Sequence, residues 1–235
     1  LAIEKYLGHF NILGNLEGDA RAKCKNPLLL RFFCEVYSNL SIGTVREIRH
    51  KDLFDLYLTK KTAAIKSEML LYSTDRVETY LYSICRIMFK NKKNIATFSE
   101  IQAEFSDDSF DETDSIYVRI LDEDIILQEL ISSHEKEFVV SFVYDEFMEY
   151  MIARELWYIS SYRTLSLEQI THKIDEIATD AQSFINLMGV IQYLALFAKD
   201  EKGYFIWDHF INKEIEWKEL ICQSISKMDQ IDDNA

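Results

Sequence analysis

The residues able to do chemistry in this chain are scattered. His9, His50, His134, His172 and His209 are its histidines, and none has another at i, i+4. Zinc hydrolases need that spacing, as in H-E-x-x-H, because it puts two imidazoles on one helix face. Cys24, Cys34, Cys85 and Cys222 form no C-x-x-C pair and have no histidine at zinc-ligand spacing. They read as buried free thiols of a protein kept in a reducing compartment. No G-x-S-x-G elbow presents a nucleophile, and no G-x-x-x-x-G-K-S/T loop cradles a phosphate. The 40 Asp and Glu residues are spread along the chain and read as solvated helix faces, not as a catalytic carboxylate pair. The expectation is a chain without catalytic residues, metal ligands or a cofactor of its own.

The bulk composition limits the elements that could position any site. With 235 residues there is room for one large domain or two to three small ones. Six glycines and one proline are too few for the many tight turns of a sandwich or barrel. A mainly helical fold is expected. A net charge of −14 disfavours nucleic acid and anionic membranes, which both demand basic patches. The most apolar stretch, 184–198, is interrupted by Asn186, Gly189 and Gln192 and reads as a buried helix rather than a membrane span. The first residue is Leu1, and the chain is expected to be part of a longer cytoplasmic protein.

Three segments are expected, 1–73, 74–163 and 164–235. In the first, Asn26-Pro27 opens a helix in which Leu29, Phe32, Phe33 and Val36 follow helical spacing. A polar turn at Ser41-Ile42-Gly43 closes it. Thr44 with Glu47 has capping-box spacing, and Asp52 is placed to cap a helix bearing Leu53, Phe54, Leu56, Tyr57 and Leu58. In the second, Tyr80, Leu81, Ile84 and Met88 mark one helix. Thr97 and Glu100 form a capping box for a short one carrying Ile101 and Phe105. A third is expected over 115–131. Glu137–Tyr144, short, β-branched and aromatic, is the best strand; Asp145 is placed to cap a helix with Phe147, Tyr150, Met151, Ala153 and Trp157. Three helices, a strand and a helix predict a winged-helix-like subdomain with a short β wing. The third segment reads as a C-terminal helical domain or the start of a helical array. Capping pairs are expected there at Ser166/Gln169 and Thr179/Gln182, and a last helix over 211–221. The predicted fold is thus a helical bundle, a winged-helix-like subdomain and a C-terminal helical segment.

Two motifs carry a family resemblance. Asn26-Pro27-Leu28-Leu29-Leu30-Arg31-Phe32-Phe33-Cys34 looks like the helix that follows the nucleotide-binding core in NACHT/STAND-type signalling ATPases. Phe142-Val143-Tyr144-Asp145-Glu146-Phe147-Met148-Glu149-Tyr150-Met151-Ile152-Ala153 resembles that family's winged-helix signature, F-x-H-x-x-F-x-E-Y-x-x-A. The similarity covers roughly 1–162. It implies that Pro27 lies against the adenine and that position 144 contacts the phosphates of the resting ADP state. Tyr144 stands where the family has His. A phenol donates one hydrogen bond but carries no positive charge near neutral pH. The apolar strand followed by Asp145-Glu146 is superficially similar to the magnesium-holding strand of such ATPases, but with no phosphate loop in the chain a helix cap accounts for it better.

The resemblance implies a regulatory, non-catalytic arm. It would pack on its own upstream nucleotide-binding domain, which would hold ATP or ADP with Mg. It would swing about a linker at 67–75 and let the protein oligomerise in immune or antiviral signalling. Two other readings stand beside it: a helical protein-interaction module with no nucleotide link, and an acidic winged-helix factor in transcription or replication complexes. DNA reading ranks below protein contact. Between Glu100 and Leu130 there are eleven acidic residues and one basic residue, Arg119.

Overall fold

The computed structural model describes residues 2–70, 75–91, 93–105, 115–132, 137–158 and 187–202, with 168, 169 and 172. The fold is mainly helical with a small β wing. Contacts divide the chain into two compact units, Leu1–Thr74 and Asp75–Ala235.

The first unit runs α1 (Ala2–His9), β1 (Leu13–Leu16), α2 (Gly18–Lys23), α3 (Pro27–Tyr37), β2 (Ser41–Val45) and α4 (His50–Glu68). Asn26 caps α3, its side-chain oxygen accepting from the Leu28 and Leu29 N–H groups at 2.9 and 3.4 Å. Pro27 takes the first helical position, where a missing N–H costs nothing. Leu29, Leu30, Phe32, Phe33, Cys34 and Val36 are buried along α3. Phe32 meets Phe54 and Tyr57 of α4 at centroid distances of 5.3 and 4.1 Å. The Lys60 ammonium donates to the Glu35 and Val36 carbonyls at 2.6 and 3.3 Å, satisfying acceptors that the end of α3 leaves open.

Several expectations in this unit are corrected. Residues 41–43 are no turn. They belong to β2, which pairs in parallel with β1, and α3 has already ended at Tyr37. Thr44 and Glu47 make no capping box, because Thr44 lies in β2 and its hydroxyl donates to Asn15 Oδ1 at 2.8 Å. Arg49 holds the N-cap position of α4, without a side-chain cap bond. Asp52 lies inside the first turn, its carboxylate 3.6 Å from the Arg49 guanidinium. Leu56 faces outward at 46% exposed.

The second unit runs α5 (Asp75–Lys90), β3 (Ala96–Thr97), α6 (Phe98–Glu104), α7 (Ile116–Asp122), β4 (Ile126–Ser132), β5 (Glu137–Phe142), α8 (Asp145–Trp157) and α9 (Leu187–Lys202). The sheet order is β3-β5-β4, antiparallel throughout. Helix, strand, two helices and a hairpin is the winged-helix order. The capping box at Thr97 and Glu100 is complete on both sides. Burial opposes ionisation of Glu100, but the Thr97 N–H, the Thr97 hydroxyl and the Asn91 amide outweigh it and hold the carboxyl below its usual range.

The helix expected over 115–131 is really a short helix and a strand. Ser115 caps α7, which ends where the Ile125 N–H turns back to the Ile120 carbonyl at 3.1 Å and Asp124 adopts φ 52°. Beyond it, Ile126 to Ser132 pairs with β5. Leu, Gln and Glu in this stretch favour helix locally, and pairing with a β-branched, aromatic neighbour overrides them. Asp145 also corrects an expectation. Tyr144 holds the N-cap position of α8, its side chain not bonding the helix N–H groups, and Asp145 is the first helical residue, where its charge suits the helix dipole.

The core of this unit lies between α5, α8 and α9. Val77, Tyr80, Leu81, Ile84, Cys85 and Met88 form the buried stripe of α5. On α8, Phe147, Tyr150, Met151, Ala153 and Trp157 are all fully buried, as are Val190, Leu194 and Ala198 on α9. A Cβ on Gly189 of α9 would meet the Glu149 carboxylate of α8, which would have to turn aside. No described helix is long and apolar enough to cross a membrane. Cys24, Cys34 and Cys85 are free and buried, as expected. Burial pushes the Cys24 thiol up to about 12 and the Cys34 thiol to about 11. Cys222, the pairs at 166/169 and 179/182, residues 71–74 of the linker and the helix expected over 211–221 fall wholly or partly outside the described residues.

Candidate functional site

The residues singled out by sequence lie in different units. Pro27 is exposed at the start of α3, beside the Asn26 cap. Proline has no N–H and no polar side-chain atom, so any role there is shape contact with a flat apolar ligand. Close to the other end of α3 is a groove of about 240 Å³ lined by Phe33, Tyr37, Val45, Ile48, Arg49 and Asp52, among others. That is below the roughly 300–1,000 Å³ of typical ligand pockets. Burial, and then the nearby Asp52 charge, raise the Tyr37 phenol, which keeps it neutral.

Tyr144 belongs to a carboxylate clamp. Its hydroxyl donates to Glu146 Oε2 at 2.8 Å, and the Tyr193 hydroxyl donates to Glu146 Oε1 at 2.9 Å. One carboxylate in the first turn of α8 thus binds two phenols, one arriving from α9. Burial, followed by the charge of Glu146, pushes the Tyr193 phenol well above its ordinary range. Tyr144 itself is half-buried at the junction of β5 and α8. To donate to a phosphate, its hydroxyl would have to leave Glu146.

A second polar centre was not visible in the sequence. Arg154 on α8 donates from Nε to the Tyr82 hydroxyl at 2.9 Å and from a terminal nitrogen to the Tyr150 hydroxyl at 3.1 Å. Its other terminal nitrogen lies 3.8 Å from Glu78, and its guanidinium stands 5.0 Å over the Tyr158 ring. Tyr82 donates to Glu78 at 3.3 Å. Burial is the main reason the Tyr82 phenol is strongly raised. The i, i+4 spacings of Glu78–Tyr82 and Tyr150–Arg154 were the available signals, but only the packing of α5 on α8 joins them. This network fixes one helix against the other and holds no reacting group.

Arg154→Met is expected to destabilise the protein by about 2 kcal/mol. Removing one member of a buried charged pair costs roughly 3–5 kcal/mol, and Arg154 with 21% of its side chain exposed falls below that. A urea-denaturation cycle with Tyr82→Phe should show coupling above about 0.5 kcal/mol. Strict additivity would mean that the two side chains do not act together.

The recognition position of the winged helix falls on α7, where Arg119 lies 4.0 Å from Asp122. A helix of seven residues with one internally engaged cation offers little to a DNA backbone. Among the described residues no group of three or more His, Cys, Asp or Glu could hold a metal ion. No protein-family model matches the chain, and no curated protein matches it.

Proposed function

We propose that this chain is the non-catalytic regulatory arm of a NACHT/STAND-type signalling ATPase in cytoplasmic defence. It packs on the upstream nucleotide-binding core and switches the protein between a closed and an oligomerising state. The observation that carries this reading is the Phe142–Ala153 stretch. It matches the family signature at Phe142, Phe147, Glu149, Tyr150 and Ala153, departing from it at Tyr144, and it folds as the end of a wing strand feeding a largely buried helix.

In this reading the nucleotide and its Mg belong to the upstream core, since the chain has no phosphate loop of its own. Pro27 supplies flat apolar contact to the base. Tyr144 supplies at most one neutral hydrogen bond to a phosphate, in competition with Glu146. That contact is weaker than an imidazolium's, so the resting state of this protein holds ADP less firmly than the family pattern implies. Rotation of a rigid unit about a linker then opens the protein.

The test begins with the coding sequence upstream of Leu1, where a phosphate loop is expected. The protein spanning both parts should purify with ADP, form larger particles with ATP and Mg, and retain ADP longer as the Tyr144→His variant. A phosphate loop missing from the upstream sequence would overturn the reading.

A further inference from the structure

The order β3-β5-β4 leaves β4 at the edge of the wing, and no described strand pairs with its outer side. Alternate residues of an edge strand point N–H and C=O groups away from the sheet, a template for another strand. The side chains on β4 fit that role. Leu127, Leu130 and Ile131 are 37%, 51% and 59% exposed, which is costly for three large aliphatic residues within five positions. Between them Glu129 is exposed, at the centre of the seven-residue strand. Natural edges are blunted by charge, proline, bulges or short length. Here Glu129 places one charge at the strand's centre and the register shift near Ser132 blunts one end, while Leu127, Leu130 and Ile131 stay open.

We propose that the outer edge of β4 is a docking site for an extended segment of another protein, alternating aliphatic and basic residues, added as a further strand of the wing. Backbone pairing supplies the affinity, and side chains at alternate positions supply the choice of partner. Leu127, Glu129 and Ile131 are spaced two apart, so a partner meets apolar, acidic and apolar positions in turn.

Charge decides against a second copy of this chain. Two-fold antiparallel pairing of β4 about its centre would set Glu129 opposite Glu129, and like charges directly opposite are destabilising. The net charge of −14 on each copy adds to the repulsion. A lysine or arginine opposite Glu129 turns the same position into an attraction. Asp122, Glu123 and Asp124, just before β4, extend the acidic field along the approach. This site is independent of any link to nucleotide.

The experiment titrates the whole chain with a labelled nine-residue peptide of alternating valine and lysine, read by fluorescence anisotropy. Comparison peptides have glutamate for lysine, or the same valines and lysines in blocks. Amide exchange follows residues 126–132. The alternating valine–lysine peptide should bind about tenfold tighter than its glutamate counterpart and should slow exchange along β4. Glu129→Lys, an exposed change that leaves the core intact, should narrow the preference. Equal binding of the blocked and alternating peptides, or a preference unchanged in Glu129→Lys, would reduce the effect to overall charge and overturn the site. So would protection of β4 in the free chain that peptide does not increase, since the edge would already be covered.

Discussion

Phe147→Ala is expected to lower stability by about 3–5 kcal/mol, the usual cost of deleting a buried aromatic ring. Phe147 is fully buried where the wing meets α8, between Phe142 of β5 at 6.0 Å and Tyr150 one helical turn on at 5.8 Å. Those two neighbours belong to different elements and cannot both close on the void, so the cavity persists. Tyr150 in turn meets Tyr193 and Phe197 of α9 at 5.6 and 5.7 Å, and the loss should loosen that helix too. Urea denaturation of the whole chain, followed by tyrosine fluorescence and by circular dichroism, measures it. Phe147→Leu should recover about half of the deficit by refilling the space. A loss below about 1 kcal/mol for the alanine variant would mean that the site collapses freely and that the wing is not packed as described.

Gly14→Ala should cost about 3 kcal/mol in the first unit. Gly14 has φ 151°, a backbone state that side chains rarely adopt, and a Cβ there would strike the Gly43 carbonyl oxygen and the Ile42 side chain. Gly43 belongs to β2, so relief would have to come from separating the paired strands. Gly8 is the control. It lies in α1 with nothing within 4 Å of an added Cβ, so Gly8→Ala should gain up to about 1 kcal/mol from helix propensity. The pair of variants separates steric conflict from the general effect of replacing glycine. Thermal denaturation in which both variants shift equally and in the same direction would contradict the close approach of β1 and β2.

These contrasts explain which parts of the fold were legible. Helices with long apolar stripes announce themselves: Leu29 to Val36 on α3 and Val77 to Met88 on α5 keep their period whatever surrounds them. The strand over Glu137–Phe142 was legible for the same reason, its β-branched and aromatic residues being unsuited to a helix surface. The β1–β2 pair was not. Leu13-Gly14-Asn15-Leu16 buries one side chain and owes its strand state to a partner far along the chain. β4 was hidden by good helix formers whose fate the β5 hairpin decides. Of the candidate site, Pro27 and Tyr144 came from motif resemblance alone. Glu146 was visible only as one half of an acidic pair; its clamp on Tyr193 depends on α9 returning to α8 across many intervening residues.

The parallel pairing of β1 and β2 also bears on the order of folding. Leu13 meets Ser41 only after the chain between them has closed into a loop through α2 and α3. Closure entropy rises as the logarithm of loop length, about 0.6 kcal/mol per doubling for a flexible chain, and four or five ladder positions return little of it by themselves. Preformed turns of α3 shorten the effective loop, which makes the ladder a late event, contingent on the helices. In native-state hydrogen exchange its amides should therefore open before those of α3 and α4, leaving the helices protected while the first strand comes away.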